Sequence, residues 1–202
     1  MTTTPACPKC GFTHNCICDQ CPTLQSQAHF VLLQHPNEQH KDTNTGKLMQ
    51  HSLPHCEQYT WNRVEPPQAL LDLIANKNYQ PWVVFPHDEA ITGEQFRAQT
   101  TPRDGNIQPL FILLDATWQE AKKMLRKSKW LNNLPCLVLT NTAPSSYQLR
   151  RNQQEGNLCT CEVGIELLNL LGQSQDAEQL HTYFTHFISV FHADKSGHRY
   201  QK

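Results

Sequence analysis

From Ala28 onward the chain alternates short, continuous apolar runs with longer amphipathic stretches. Four runs, His29 to Leu33, Trp82 to Phe85, Leu110 to Leu114 and Leu137 to Leu139, are rich in Val, Ile, Leu and Phe. Runs that are apolar throughout, rather than at every second position, suit strands covered on both faces. Helical spacing of apolar residues predicts helices over roughly Leu48 to Leu53, Pro67 to Asn76, Thr117 to Trp130, Cys161 to Leu171 and Asp176 to His192. Strands alternating with helices predict an α/β fold with a mostly parallel sheet and helices on both faces. Ligands of such sheets lie outside the carboxyl ends of the strands. This singles out Gln34-His35-Pro36, Pro86-His87-Asp88, Asp115-Ala116-Thr117-Trp118 and Thr140-Asn141-Thr142. Thr101 to Gly105 reads as a turn into the third run.

The first residues break this pattern. Five of nine cysteines, Cys7, Cys10, Cys16, Cys18 and Cys21, fall within fifteen positions. In a reducing compartment such a cluster suits a metal better than disulfides. Cys7-Pro-Lys-Cys10-Gly and Cys16-Ile-Cys18 supply two thiolate pairs for one tetrahedral, structural Zn²⁺. Free thiols and an iron–sulfur cluster are the alternatives, and Cys21 can replace Cys18. A closed four-thiolate site leaves no position for substrate, so its work is to fold a segment too short for its own core. We assign residues 1–26 to this cysteine-rich, zinc-binding segment and 27–202 to the α/β domain. His51 and His55 stand at helical spacing and read as solvated surface residues.

At 202 residues the chain can bury roughly 70% of its unfolded surface. The amino terminus has neither a basic start nor an apolar stretch, and no apolar run approaches the ~18 residues of a membrane span. The expectation is a cytoplasmic protein with no membrane association. The net charge of −1 hides a sorting along the chain. Ala121 to Gln154 holds Lys122, Lys123, Arg126, Lys127, Lys129, Arg150 and Arg151 with no acid, and Glu155 to Phe187 holds five acids with no Lys or Arg. Lys122, Arg126 and Lys129 recur at i, i+4, i+7, which reads as a solvated face or a phosphate-contacting one.

Asp115 ends the third run, and Thr117 with Glu120 makes a capping box for the next helix. Read locally, Asp115 and Thr117 either cap this helix or carry chemistry. The motif Asp115-Ala116-Thr117-Trp118 and its surroundings resemble the D-x-T-W signature of the DTW-domain family and, within it, the bacterial tRNA-uridine aminocarboxypropyltransferases. The resemblance covers nearly the whole chain. It includes Cys7-x-x-Cys10 with Cys16-x-Cys18, Leu33-Gln-His35-Pro36, Asn44-Thr45-Gly46, Pro81-Trp82-Val-Val-Phe-Pro86, Tyr147-Gln-Leu-Arg150-Arg151 and Leu158-Cys-Thr160-Cys-Glu162.

This resemblance implies a SPOUT-like fold with a trefoil knot in its carboxy-terminal part, S-adenosylmethionine as co-substrate and tRNA as partner, with no stable protein partner. It implies transfer of the 3-amino-3-carboxypropyl group to N3 of a variable-loop uridine, releasing methylthioadenosine. Asp115 is the expected base or orienting group, supported by Thr117 and by Trp118, which stacks on a base or fills the core. The expected cofactor-side residues are His35, Asn44, Thr45, Gly46, Pro86, Leu114, Thr160 and Glu162. Glu162 is expected to accept from the cofactor ammonium or to complement the helix dipole. Arg150 and Arg151 suit a carboxylate or an RNA phosphate. An RNA methyltransferase and a non-catalytic, zinc-containing RNA-binding module are the alternatives.

Overall fold

The predicted strands assemble into one sheet because their residues have two interiors to fill. The computed structural model describes residues 5–100, 107–140, 144–147, 149 and 157–200. Its strands are β1 (His29–Gln34), β2 (Cys56–Thr60), β3 (Tyr79–Val84), β4 (Ile91–Thr92), β5 (Gln108–Asp115) and β6 (Cys136–Val138). They pair in the order β2-β1-β5-β3-β6-β4, every pairing parallel. The helices are α1 (Gly46–Ser52), α2 (Gln68–Ala75), α3 (Gly93–Gln99), α4 (Trp118–Lys127), α5 (Lys129–Asn132), α6 (Thr160–Leu170) and α7 (Ser174–Lys195).

Alternate residues of the central strands enter different cores. Phe30, Leu32, Phe111, Leu113 and Trp82 pack with buried residues of α1, α3, α6 and α7. Val31, Leu33, Leu110, Ile112 and Val83 pack with α2, α4 and α5. Helices therefore cover both faces, which is why each run is apolar at every position. Gly164 sets the approach of α6 to α1, since a Cβ there would stand 2.5 Å from the Met49 Cε.

The non-sequential strand order brings together distant parts of the chain, in accord with a knotted SPOUT-like arrangement. The threading itself depends on the course between Leu139 and Asn157, where 141–143, 148 and 150–156 lie outside the described residues. So do the turn expected at Thr101 to Gly105, Asn141 and Thr142, and the predicted RNA-binding pair Arg150 and Arg151. No helix among the described residues is long and apolar enough to cross a membrane.

Four elements depart from the sequence reading. β2 is an edge strand whose Cys-Glu-Gln-Tyr-Thr residues stay largely exposed, so no apolar run announces it. β4 and α3 likewise bury little beyond Phe96. The helix expected through Trp130 breaks at Ser128, which is extended at φ −109° and ψ 91°. Its Oγ accepts a hydrogen bond from Trp61 Nε1 at 2.8 Å, a partner from across the fold. Lys129 therefore starts α5 and does not continue the α4 stripe.

The cysteine segment joins the first core instead of standing apart. Cys10, Phe12, Ile17 and Leu24 are buried within it, and Phe12 stacks on Phe187 of α7 at 5.3 Å. Near the end of α7, the Asp194 carboxylate accepts from the backbone N–H groups of Thr13, His14 and Asn15 at 3.0, 2.7 and 2.8 Å.

Candidate active site and metal centre

Asp115 ends β5 with its side chain only 2% exposed. Oδ2 accepts from Asn44 Nδ2 at 2.7 Å and Gln34 Nε2 at 3.0 Å, and Oδ1 accepts from Thr160 Oγ1 at 2.7 Å. Asn44 is oriented for this because its own Oδ1 accepts from Gly46 N at 2.9 Å. Gly46 leaves the needed space: a Cβ there would lie 3.3 Å from Asp115 Oδ2. Burial pushes the Asp115 carboxyl above its ordinary value, against the hydrogen bonds from Asn44, Thr160 and Gln34 that favour the anion.

The capping role belongs to Thr117 and not to Asp115. Thr117 Oγ1 accepts from Glu120 N at 3.4 Å, and Glu120 Oε2 accepts from Thr117 N at 3.0 Å. Burial of Glu120 opposes ionisation, but hydrogen bonds from Thr117 and Asn37 overcome it and hold the carboxyl down at about 2. His35, expected on the cofactor side, instead stacks on Trp61 at 5.4 Å and lies 3.5 Å from Glu120 Oε1.

Beside Asp115 opens a cavity of about 660 Å³ at the carboxyl edge of the sheet. Thr45, Pro86, Leu114, Thr160, Thr117 and Trp118, all singled out by the sequence, line it. Its remaining walls include apolar Phe85, Leu137, Leu139 and Leu158, a lining that suits a nucleoside-sized organic ligand. Trp118 is a half-buried wall residue whose ring lies 5.2 Å from that of Phe85. Asp115, Asn44, Gly46, His35 and Glu162 are not among the cavity's lining residues. Thr160 is the link, facing the cavity while donating to Asp115.

Glu162 fastens the 144–147 segment to the start of α6. Its carboxylate accepts from Ser145 Oγ, Ser146 N and Cys159 N at 2.7, 2.8 and 2.8 Å. These bonds engage the carboxylate expected to meet a cofactor ammonium with groups of the protein itself. The segment carries Tyr147, which lines the cavity and donates from its hydroxyl to Thr43 O at 2.6 Å. The sequence singles out Gln34 at a strand end without giving it a role, and it offers Tyr147 and Cys159 only as members of motif segments. The cations Lys122, Lys123, Arg126 and Lys127 are exposed along α4, Lys129 is exposed on α5, and Lys122 reaches the cavity rim.

The four thiolates expected to hold metal converge. The sulfurs of Cys7, Cys10, Cys16 and Cys18 lie within 4.8 Å of one another, with Cys7 to Cys18 at 3.6 Å and Cys10 to Cys16 at 3.8 Å. A tetrahedral ion with metal–sulfur bonds of about 2.3 Å separates its thiolates by about 3.8 Å, so the set fits such an ion. Backbone N–H groups of Cys10 and Lys9 hold the Cys7 thiol down at about 6, whereas burial pushes the Cys10 and Cys18 thiols up. Cys21 is outside the set and lies 3.5 Å from Ser52 Oγ.

Fold and site together define an α/β protein with a cavity at its strand ends and a four-cysteine clasp able to hold a metal ion. The DTW domain matches residues 4–192, and the chain belongs to the DTW-domain family. It is 25% identical over 173 residues to tRNA-uridine aminocarboxypropyltransferase 2 of Macaca fascicularis, covering 83% of this chain and 56% of that protein. The mouse protein of the same name is 27% identical with the same coverage. The Drosophila melanogaster one is 24% identical over 189 residues, covering 90% of this chain and 73% of its own. The chain thus spans little more than half the length of the mammalian relatives. No solved structure matches it.

Proposed function

We propose that the chain transfers the 3-amino-3-carboxypropyl group of S-adenosylmethionine to N3 of a uridine in tRNA, in the variable loop, releasing methylthioadenosine. The observation that carries this is the cavity at the strand ends with Thr160 on its wall and the buried Asp115 behind it. The name of the relatives, tRNA-uridine aminocarboxypropyltransferase 2, supports the transferred group and the acceptor nucleoside. S-adenosylmethionine bound there supplies an electrophilic carbon next to its sulfonium. Thr45, Pro86, Leu114 and Thr160 would hold it, and the apolar walls would exclude water.

Uridine N3 must lose its proton as the N3–carbon bond forms and the carbon–sulfur bond breaks. Thr160 Oγ1 accepts that proton while passing its own to Asp115 Oδ1 along the existing 2.7 Å bond. Burial raises the affinity of Asp115 for it. General-base assistance of this kind contributes about 10²–10⁴-fold. The exposed cations of α4 beside Lys122 receive the tRNA phosphates. Zinc in the four-thiolate site is structural, and the protein works in the cytoplasm.

The test is incubation of the purified protein with S-adenosylmethionine and unmodified tRNA, with mass analysis of nucleosides and small molecules. Aminocarboxypropyl-uridine with methylthioadenosine is expected. Methylated nucleoside with S-adenosylhomocysteine would replace this reading by a methyltransferase, and tRNA binding without product by a binding module.

A further inference from the structure

A second cavity, of about 360 Å³, opens on the β1–β2 side of the same sheet edge. The cysteine segment forms one wall through Lys9, and the amides of Gln34, Gln58 and Asn44 line another, with Lys41 and Lys47 adding ammonium groups. Its two acids are already engaged: Glu38 pairs with Lys41 at 2.7 Å, and Asp42 pairs with Lys195 of α7. Lys9 is exposed; the half-buried Lys47 ammonium donates to Asp42 O at 3.0 Å and lies 5.0 Å from the Phe187 ring centre, but neither lysine has a carboxylate within ion-pair distance among the described residues.

The chemistry is that of a nucleotide site. Ammonium groups neutralise a backbone phosphate, and the amide of Gln58, exposed on β2, reads the edge of an unstacked base. The cavity is also wired to the reaction centre. Gln58 Nε2 donates to Gln34 Oε1 at 3.1 Å, and Gln34 Nε2 donates to Asp115 Oδ2 at 3.0 Å. Its rim is fixed to the first cavity, since Asn37, beside Glu38, donates to Glu120 of α4 at 2.8 Å.

We infer that this second cavity binds a nucleotide adjoining the target uridine, its phosphate against Lys9 and Lys47 and its base edge against Gln58. The inference rests on the reading above that the acceptor is RNA. It gives the cysteine segment a share of substrate recognition in addition to its own folding, and it makes the flanking nucleotide part of target choice.

The test is tRNA binding by the full, metal-loaded chain across a salt series, for wild type, Lys9→Glu and Gln58→Ala, with bound metal and S-adenosylmethionine affinity measured alongside. Lys9→Glu is expected to weaken tRNA binding and lower the slope of log affinity against log salt by about 0.7–0.9 or more. Gln58→Ala, remote from the thiolates, is expected to weaken tRNA binding several-fold, with metal content and S-adenosylmethionine affinity unchanged. A wild type that modifies tRNA, with both variants binding it equally well, overturns the cavity assignment alone. A wild type that binds no tRNA overturns this inference together with the proposed function.

Discussion

The carboxylate of Asp115 is nearly sealed from solvent yet takes hydrogen bonds from Gln34, Asn44 and Thr160, which lie 81, 71 and 45 positions away in sequence. Its position at a strand end was legible in the sequence, but its partners were not, because nothing local marks which distant side chain will meet it. If Asp115 accepts the proton as its anion, turnover falls as pH drops through its raised pKa. The acid limb of the pH–rate profile is therefore expected above the ordinary Asp value of 3.8. Asn44→Ala removes a bond that favours the anion and should move that limb to still higher pH. A limb unmoved in that variant would separate Asp115 from the rate-controlling proton. Thr160 gives a matching test: Thr160→Ser keeps the hydroxyl and should retain most activity, whereas Thr160→Val should lose it at similar thermal stability.

Elements with an apolar face were legible, and those held by polar edges were not. The runs behind β1, β3, β5 and β6 fill two cores and announced themselves. β2 pairs along one edge with little apolar burial, and the break at Ser128 depends on Trp61 from another part of the chain. The Thr117–Glu120 capping box was readable because it is local. Thr117→Ala should cost about 1 kcal/mol in denaturant unfolding, as N-cap losses typically do. The Glu120 carboxyl is held down at about 2 from an ordinary 4.5. Its stabilising contribution is complete above about 4.5 and is lost as pH falls towards 2. A thermal-unfolding series should show a loss of Tm in that window that is smaller in Glu120→Gln.

Across the whole molecule, the cysteine segment, the sheet edge and α7 form one connected body. The four-thiolate set was legible from spacing alone, whereas its docking on Asp194, about 180 positions away, was not. Asp194→Ala removes a charged acceptor of three backbone N–H groups, each such bond contributing about 1.5–3 kcal/mol. Hydrogen exchange at 13–15 should rise in that variant while the sheet stays protected. Chelation of the metal should expose four reactive thiols and release the same segment; unchanged thiol reactivity would show that the cluster holds no ion. The account turns on one carboxylate behind one cavity, and single-turnover transfer to tRNA by Asp115→Asn tests it most directly. A folded Asp115→Asn chain that still binds S-adenosylmethionine should transfer about 10²–10⁴-fold more slowly than wild type. Full turnover in that variant, with unchanged helix content, would leave Asp115 as no more than a tie between strands.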